Sequence, residues 1–341
     1  MRGFLCVLAL LAAATSARAA EIDPALVAAA TKEGTVVWYT GMIVNQIVRP
    51  VVAAFEAKYP GIKVEASRAS GNDNALKIMN EARARHPLAD VVDSTTALPP
   101  LMKAGLVAKF IPTESARYPA NAKDPAGYWT SPNVYYYTAA YNTKLVSAAD
   151  APKTYDDLLD PKWKGKMAWT YDLTGGGPPG FIHNILTIKG QEKGMEYLRA
   201  FAKQEPAVIP ASQRVVLDKV ISGEYPLALM TLSYHSTISA AKGAPVQWLK
   251  MPPMVMSPNV ISLLKYAPHP NAGKLLIEFI LSTEAQKIMA ANDYMPADPA
   301  VAAKDPELQP EHGHFAVTVI SPEQTRDDLP KWIAIYHELF R

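Results

Sequence analysis

The chain of 341 residues carries 34 basic and 32 acidic side chains and one cysteine. This near-neutral balance argues against a nucleic acid or an anionic membrane surface as the partner, and a single cysteine excludes internal disulfides and a thiolate metal site. At roughly 150 residues per domain, the length predicts two lobes.

The first twenty residues have the pattern of a secretory signal peptide. Arg2 precedes an unbroken apolar run, Phe4 to Ala14, and an A-x-A sequence ends at Ala19. The run is too short to cross a bilayer, which needs about 20 residues, so no stable membrane insertion is expected. Cleavage after Ala19 or Ala20 leaves 32 basic against 32 acidic residues. We therefore predict export to the periplasm.

Three predicted strands in the first half of the chain each end in a polar loop. The strands cover residues 35–39, 62–66 and 89–92, and a helix is predicted after each of the three loops. Because parallel strands end at one edge of their sheet, we expect a ligand site there. Helix capping is the alternative role for each loop taken singly. The candidate ligand-binding residues are Thr40 and Gly41, then Ser70, Gly71 and Asn72, then Ser94 and Thr95.

A glycine-rich turn joins a predicted strand over residues 167–171 to a predicted helix. Gly175, Gly176 and Gly177 lie in this turn, and apolar residues at helical spacing follow it. The first N–H groups of a helix lack internal partners, and glycine lets a ligand approach the backbone, so the turn is a candidate anion site. It matches neither a Walker A motif nor a dinucleotide fingerprint, and an ordinary mobile loop is the alternative.

The rest of the second half supplies five more candidates for ligand binding. Gln213 and Arg214 open a helical pattern, and a strand predicted over residues 226–232 delivers Thr231, Ser233 and Tyr234 at its end. A single long helix is predicted over residues 271–291, and an aromatic helix over residues 332–340.

The sequence contains no recognisable catalytic constellation. There is no GxSxG, HExxH or dinucleotide motif, and two SxxK matches lack their usual partner motifs. His312 and His314 could chelate a metal weakly, but the sequence places no third ligand beside them. We therefore predict a protein that is not an enzyme and that has no cofactor and no metal site.

Three segments carry a family resemblance. They are residues 151–166 (APKTYDDLLDPKWKGK), 222–229 (SGEYPLAL) and 267–286, which includes PHPNA and FILS. They resemble ABC-transporter solute-binding proteins of the family that includes the ferric-ion-binding proteins. The resemblance implies an α/β, type II periplasmic-binding fold: two lobes, mixed sheets flanked by helices, a two-strand hinge and a small-molecule ligand in the interlobe cleft. It also implies closure on binding and delivery to an inner-membrane ABC permease, and we expect a monomer.

The same resemblance assigns chain segments and roles. It implies lobe 1 over residues 20–138 plus 256–300 and lobe 2 over residues 139–255 plus 301–341, after a signal peptide over residues 1–19. The family's anion-cradling helix start falls on Gly176 and Gly177, its polar pair on Gln213 and Arg214, and its cleft asparagine near Thr231.

The residues at the iron-ligating positions favour an organic anion. Where the ferric members have adjacent tyrosines, this chain has Ser233 and Tyr234, and the family's first-strand histidine is replaced by Thr40-Gly41-Met42. Fe³⁺ needs several anionic oxygen donors, which one tyrosine and one serine do not supply. Arg214 beside glycine N–H groups suits a carboxylate, phosphate or phosphonate. A ferric ion or ferric chelate is the second hypothesis, and a periplasmic enzyme is the third.

Overall fold

The computed structural model describes residues 22–340 as two β-sheets flanked by helices, so the predicted signal peptide lies outside the described residues. The strands are β1 (Thr35–Thr40), β2 (Lys63–Arg68), β3 (Val91–Asp93), β4 (Asn133–Asn142), β5 (Met167–Thr170), β6 (Ala207–Ile209), β7 (Leu227–Leu232), β8 (Val246–Trp248), β9 (Met254–Pro258), β10 (Ile261–Leu263), β11 (Met295–Pro296) and β12 (Val317–Val319).

The helices separate and cover these strands. They are α1 (Pro24–Glu33), α2 (Arg49–Lys58), α3 (Gly71–Arg83), α4 (Leu98–Lys103), α5 (Pro178–Lys189), α6 (Gln191–Ala202), α7 (Gln213–Ile221), α8 (Ser233–Ala241), α9 (Pro270–Leu281), α10 (Thr283–Ala291), α11 (Pro310–Gly313) and α12 (Pro322–Leu339).

The first sheet has the strand order β10–β3–β1–β2. Strand β1 is parallel to both β2 and β3, whereas β10 runs antiparallel to β3. Thr40 at the end of β1 lies in register with Arg68 on one side and Asp93 on the other. The carboxyl ends of the three strands therefore meet at one edge, as the sequence predicts.

The second sheet has eight strands, six of them in the order β12–β9–β4–β7–β5–β6, with β8 and β11 also paired to β4. Its core is aromatic. The indole of Trp169 on β5 packs edge-on against Phe181 of α5, Phe201 of α6 and Phe340 beyond α12, at ring-centroid distances of 5.8, 5.7 and 5.0 Å. This packing holds α5, and the glycine-rich turn before it, against the sheet.

Two segments of the chain connect the two sheets, and they lie next to each other in antiparallel orientation. The backbone N–H of Asn259, between β9 and β10, donates to the carbonyl of Asn133 at 2.9 Å, and its side-chain amide donates to Oδ1 of Asn133 at 3.0 Å. Thr130 and Ile261 form an isolated antiparallel bridge next to them. The predicted α/β architecture with a two-strand hinge is confirmed, while the exact division of the chain into lobes stays a prediction.

Two helix predictions were wrong in their limits. The single helix predicted over residues 271–291 is two helices, because Ser282 adopts an extended conformation and its side chain accepts the backbone N–H of Ala285 as the cap of α10. The terminal helix begins at Pro322, where Ser321 and Gln324 form a capping box.

Candidate functional site

A cavity of about 160 Å³ lies where the two sheets face each other, and we call it the cleft. The first sheet contributes loop residues after β1 and β3. The second contributes side chains of β4 and β9 and the glycine-rich turn after β5. The lining residues are Gly41, Asp93, Ser94, Thr95, Thr96, Tyr135, Tyr137, Thr174, Gly175, Gly176, Ser257, Asn259 and Thr325.

Five of the predicted ligand-binding residues line the cleft: Gly41, Ser94, Thr95, Gly175 and Gly176. The hydroxyl of Thr95 donates to the carbonyl of Pro258 at 2.6 Å, so this side chain also ties the loop after β3 to the hinge. The cleft is therefore rich in hydroxyl groups, which donate to and accept from a polar ligand.

Three predicted residues in the first sheet's loops support the cleft from behind it. Ser70 caps α3 by accepting the backbone N–H of Asp73 at 3.2 Å, and the hydroxyl of Thr40 accepts from Met42 at 3.0 Å. A Cβ atom on Gly71 would lie 2.0 Å from Oγ of Ser94, so a larger residue there would displace this hydroxyl. Asn72 lines a larger cavity of about 670 Å³ that adjoins the cleft, because Thr96, Thr174 and Thr325 line both.

The start of α5 differs from the predicted anion cradle. Its first two residues, Pro178 and Pro179, have no backbone N–H. The N–H groups of Gly176 and Gly177 both turn back to Thr174, at 3.3 Å to its hydroxyl and 3.1 Å to its carbonyl. The helix start therefore offers few donors to an anion, and the two prolines in the sequence were the signal for this.

Close packing explains why glycines occupy these positions of the turn. A Cβ atom on Gly177 would lie 1.9 Å from the carbonyl oxygen of Asp172, and one on Gly176 would lie 2.8 Å from the ring of Tyr137. The side-chain amide of Gln213 donates to the carbonyl of Gly176 at 2.5 Å. Gln213 thus holds the turn, whereas a direct contact with ligand stays a prediction.

Arg214 lies away from the cleft lining in this arrangement. Its guanidinium donates to the Ser239 hydroxyl at 2.9 Å and pairs with the carboxylate of Asp218, one helical turn along α7, at 2.7 Å. Asp218 therefore balances the positive charge of Arg214, which the sequence analysis predicted to bind the ligand. The charge of Arg214 also contributes to lowering the pKa of His235 to about 4, after the larger effect of burial.

The remaining predicted residues of the second sheet are buried. The hydroxyl of Thr231 donates to the carbonyl of Thr138 at 3.3 Å, Ser233 is fully buried, and Tyr234 is 5% exposed. Among the described residues the hydroxyl of Ser233 has no hydrogen-bond partner, and contact of the three residues with a ligand stays a prediction.

A tyrosine cluster adjoins the cleft, and the sequence analysis identified only Tyr234 of its four members. Tyr135 and Tyr137 project from the same face of β4, with ring centroids 6.4 Å apart, and the rings of Tyr234 and Tyr294 are 6.1 Å apart. Burial raises the pKa of Tyr135 well above its usual value, and the neighbouring Tyr294 and Tyr137 add to the rise. The alternation of tyrosines in VYYYT was the available sequence signal.

Asp93 was also missed, and it is the one carboxylate that lines the cleft among residues 22–340. It is 1% exposed and accepts from the indole N–H of Trp38 at 2.7 Å and from the backbone N–H of Gly41 at 3.2 Å. Burial raises the pKa of Asp93 to about 7, although hydrogen bonds from Thr40, Gly41, Trp38 and Asn259 act to lower it.

Two features are absent from the described part of the chain. Between residues 22 and 340, no group of three or more histidine, cysteine, aspartate or glutamate side chains could hold a metal ion. Over the same residues, no helix has both the length and the apolar character to cross a bilayer.

The fold and the hinge-side cleft are those of a two-lobe binding protein. Residues 51–316 match the family described as bacterial extracellular solute-binding protein, and the chain belongs to this family. The predicted family and export to the periplasm are confirmed.

The two relatives described next have names that state a ligand, and each has a low sequence identity to this chain. The chain is 25% identical over 291 residues to the major ferric iron-binding protein of Neisseria meningitidis, covering 81% of this chain and 85% of that protein. It is 22% identical over 283 residues to a putative 2-aminoethylphosphonate-binding periplasmic protein of Salmonella typhimurium, covering 81% and 79%. The fold matches the periplasmic binding protein AfuA from Actinobacillus pleuropneumoniae, with exogenous fructose-6-phosphate bound, at a TM-score of 0.72 and 20% identity, over 90% of this chain and 98% of that one.

Proposed function

We propose that this protein is the periplasmic substrate-binding component of an ABC import system and that it carries a small organic anion to the inner-membrane permease. The anion bears a carboxylate, phosphate or phosphonate group. The observation that carries the proposal is the cleft beside the hinge, lined by hydroxyl groups from both sheets. Hydroxyl groups such as those of Ser94, Thr96 and Ser257 donate hydrogen bonds to anionic oxygens.

Two of the similar proteins support this class of solute, whereas the Neisseria relative is a ferric iron-binding protein. One relative is a putative binder of 2-aminoethylphosphonate, and the AfuA structure has exogenous fructose-6-phosphate bound. Both ligands combine a small organic body with a tetrahedral anion. The proposal assigns no catalytic step, because members of this family bind solutes.

Thermal unfolding with a panel of ligands tests the proposed solute class. The panel contains inorganic phosphate, ethylphosphonate, 2-aminoethylphosphonate, fructose 6-phosphate and succinate, with Fe³⁺ as a separate arm. A ligand at a hundred times its dissociation constant stabilises the folded state by about 2.7 kcal/mol, which raises the melting temperature measurably. Stabilisation by none of the organic anions would refute the proposal.

Ser257 tests whether the cleft is the site. We expect Ser257→Ala to weaken binding of the best ligand in the panel about tenfold, because a hydrogen bond to a charged group contributes roughly 1.5–3 kcal/mol. Ser262→Ala is the matched control, since Ser262 is also a buried strand serine but does not line the cleft. Titration calorimetry gives both affinities, and equal effects of the two substitutions would place the site elsewhere.

A ferric ion or ferric chelate is the second candidate, and the tyrosine cluster is the observation in its favour. Tyr135 and Tyr137 line the cleft, and they add two phenol oxygens to the single tyrosine that the sequence analysis counted. Burial raises their pKa values, which opposes the ionised phenolate that Fe³⁺ needs. We expect no visible charge-transfer band on addition of Fe³⁺ with or without citrate; a strong band would make iron the preferred ligand.

A further inference from the structure

The cleft lacks a positive charge of its own. Among the described residues 22–340, no lysine, arginine or histidine lines it, and Asp93 contributes a carboxylate. The start of α5 adds little, because Pro178 and Pro179 have no N–H groups. A cation close to the lining would stabilise an anion in the cleft, and the predicted one, Arg214, is already paired with Asp218.

Arg68 is placed to supply that cation. It is the last residue of β2, in register with Thr40, at the carboxyl edge of the first sheet where the cleft lies. Its Nε donates to the carbonyl of Gly41 at 3.3 Å, and Gly41 lines the cleft. This single bond anchors the base of the guanidinium beside the rim of the cavity.

The outer part of the Arg68 guanidinium is not engaged by an acidic partner. Within residues 22–340, Arg68 has no carboxylate at ion-pair distance, whereas Arg214 has Asp218 at 2.7 Å. The charge of Arg68 also acts on the tyrosine cluster, where it helps to lower the pKa of Tyr294 against the larger effect of burial. The two terminal nitrogens of Arg68 thus remain available for a ligand.

We propose that Arg68 binds the anionic group of the transported solute through its two terminal nitrogens, at the rim where Gly41 and the cleft hydroxyls meet. This inference rests on the proposed function and names the cation for its anionic ligand. A guanidinium forms two parallel hydrogen bonds to a carboxylate, phosphate or phosphonate, and this geometry selects a planar or tetrahedral oxyanion over a neutral solute. The hydroxyls of Ser94 and Thr96 then face the rest of the ligand.

Three arginine variants test the inference with the tightest-binding organic anion of the panel above as the probe. We expect Arg68→Ala to weaken binding about 10- to 100-fold and Arg68→Lys to recover part of this loss, because an ammonium keeps the charge without the paired donors. Arg214→Ala is the matched control and should leave the affinity within about twofold of the unmodified protein. The melting temperature of unliganded Arg68→Ala should change little, since only one exposed hydrogen bond is lost.

Salt dependence separates a contact with the anion from a merely structural role. Raising the salt concentration from 0.05 to 0.5 M should weaken binding to the unmodified protein more than to Arg68→Ala, because an exposed ion pair is screened. Equal affinity and equal salt dependence of Arg68→Ala and the unmodified protein would overturn the inference and leave the proposed function intact. If no organic anion of the panel binds the unmodified protein, the proposed function fails and the inference fails with it.

Discussion

Asp93 is the residue whose chemistry depends most on its surroundings. It lies at the end of β3, almost fully enclosed, and burial raises its pKa to about 7. Near neutral pH this carboxyl group is therefore partly protonated. An anion bound in the cleft adds negative charge next to it, which raises its pKa further and favours the protonated form.

Proton uptake on binding is the prediction that follows from Asp93. At pH 7, binding of the anionic probe should take up roughly half a proton, since a group with a pKa near 7 is about half protonated there. Lower pH removes the charge of Asp93, so affinity should rise as the pH falls from 8 towards 6. Calorimetry in buffers of different ionisation enthalpy measures the uptake after the probe's own titration is subtracted.

A measurement at pH 5 is the control for this prediction. At pH 5 Asp93 is already protonated in the unliganded protein, and uptake should vanish. The same uptake at pH 5 and pH 7 would show that another group takes the proton.

At the scale of secondary structure, the packing of β5 against its covering helices stabilises the second sheet. Trp169 is fully buried and touches rings from α5, α6 and the end of α12. Its indole N–H has no hydrogen-bond partner among the described residues. The ring therefore stabilises by packing, while the buried donor is a cost.

Substitution of Trp169 separates these two contributions. We expect Trp169→Ala to lower the free energy of unfolding by about 3–5 kcal/mol, because it leaves a cavity among α5, α6 and α12. Trp169→Phe keeps most of the ring and removes the unpaired N–H, so its cost should be roughly half or less. Urea unfolding measures both. Equal losses for the two variants would show that a phenyl ring does not replace the packing of the indole.

At the scale of the whole molecule, the hinge segments and α12 make contacts that connect the two sheets. Asn133 and Asn259 pair across the two crossing segments. The indole N–H of Trp129 donates to the carboxylate of Glu323 on α12 at 3.1 Å, which links the first sheet's side of the molecule to the second. Thr325, two residues further along α12, lines the cleft.

This arrangement predicts closure about the hinge on binding. With a saturating concentration of the anionic probe, small-angle X-ray scattering should give a smaller radius of gyration than for the free protein, because ligand contacts from both sheets favour the closed state. Sucrose, which carries no charge, serves as the control solute. An unchanged radius with a bound probe would mean that the cleft is already closed before binding.

The sequence by itself determined the local structure and the family. Strand–helix alternation, the cap at Ser70 and the polar loops after the strands depend on neighbours in the chain, so they can be predicted from short windows. The pairing of Arg214 with Asp218 and the two prolines at the start of α5 were local as well, and the interpretation of the helix start as an anion site overlooked them.

Only the tertiary structure decided which side chains share the cleft. Tyr135 and Asn259 are far apart in the chain and meet because β4 and β9 pair at the hinge. Asp93 is buried on β3 between β1 and β10, and this burial shifts its pKa. The register of β1 with β2 brings Arg68 beside Gly41. Burial and charge separation depend on these distant contacts, which no local pattern of residues contains.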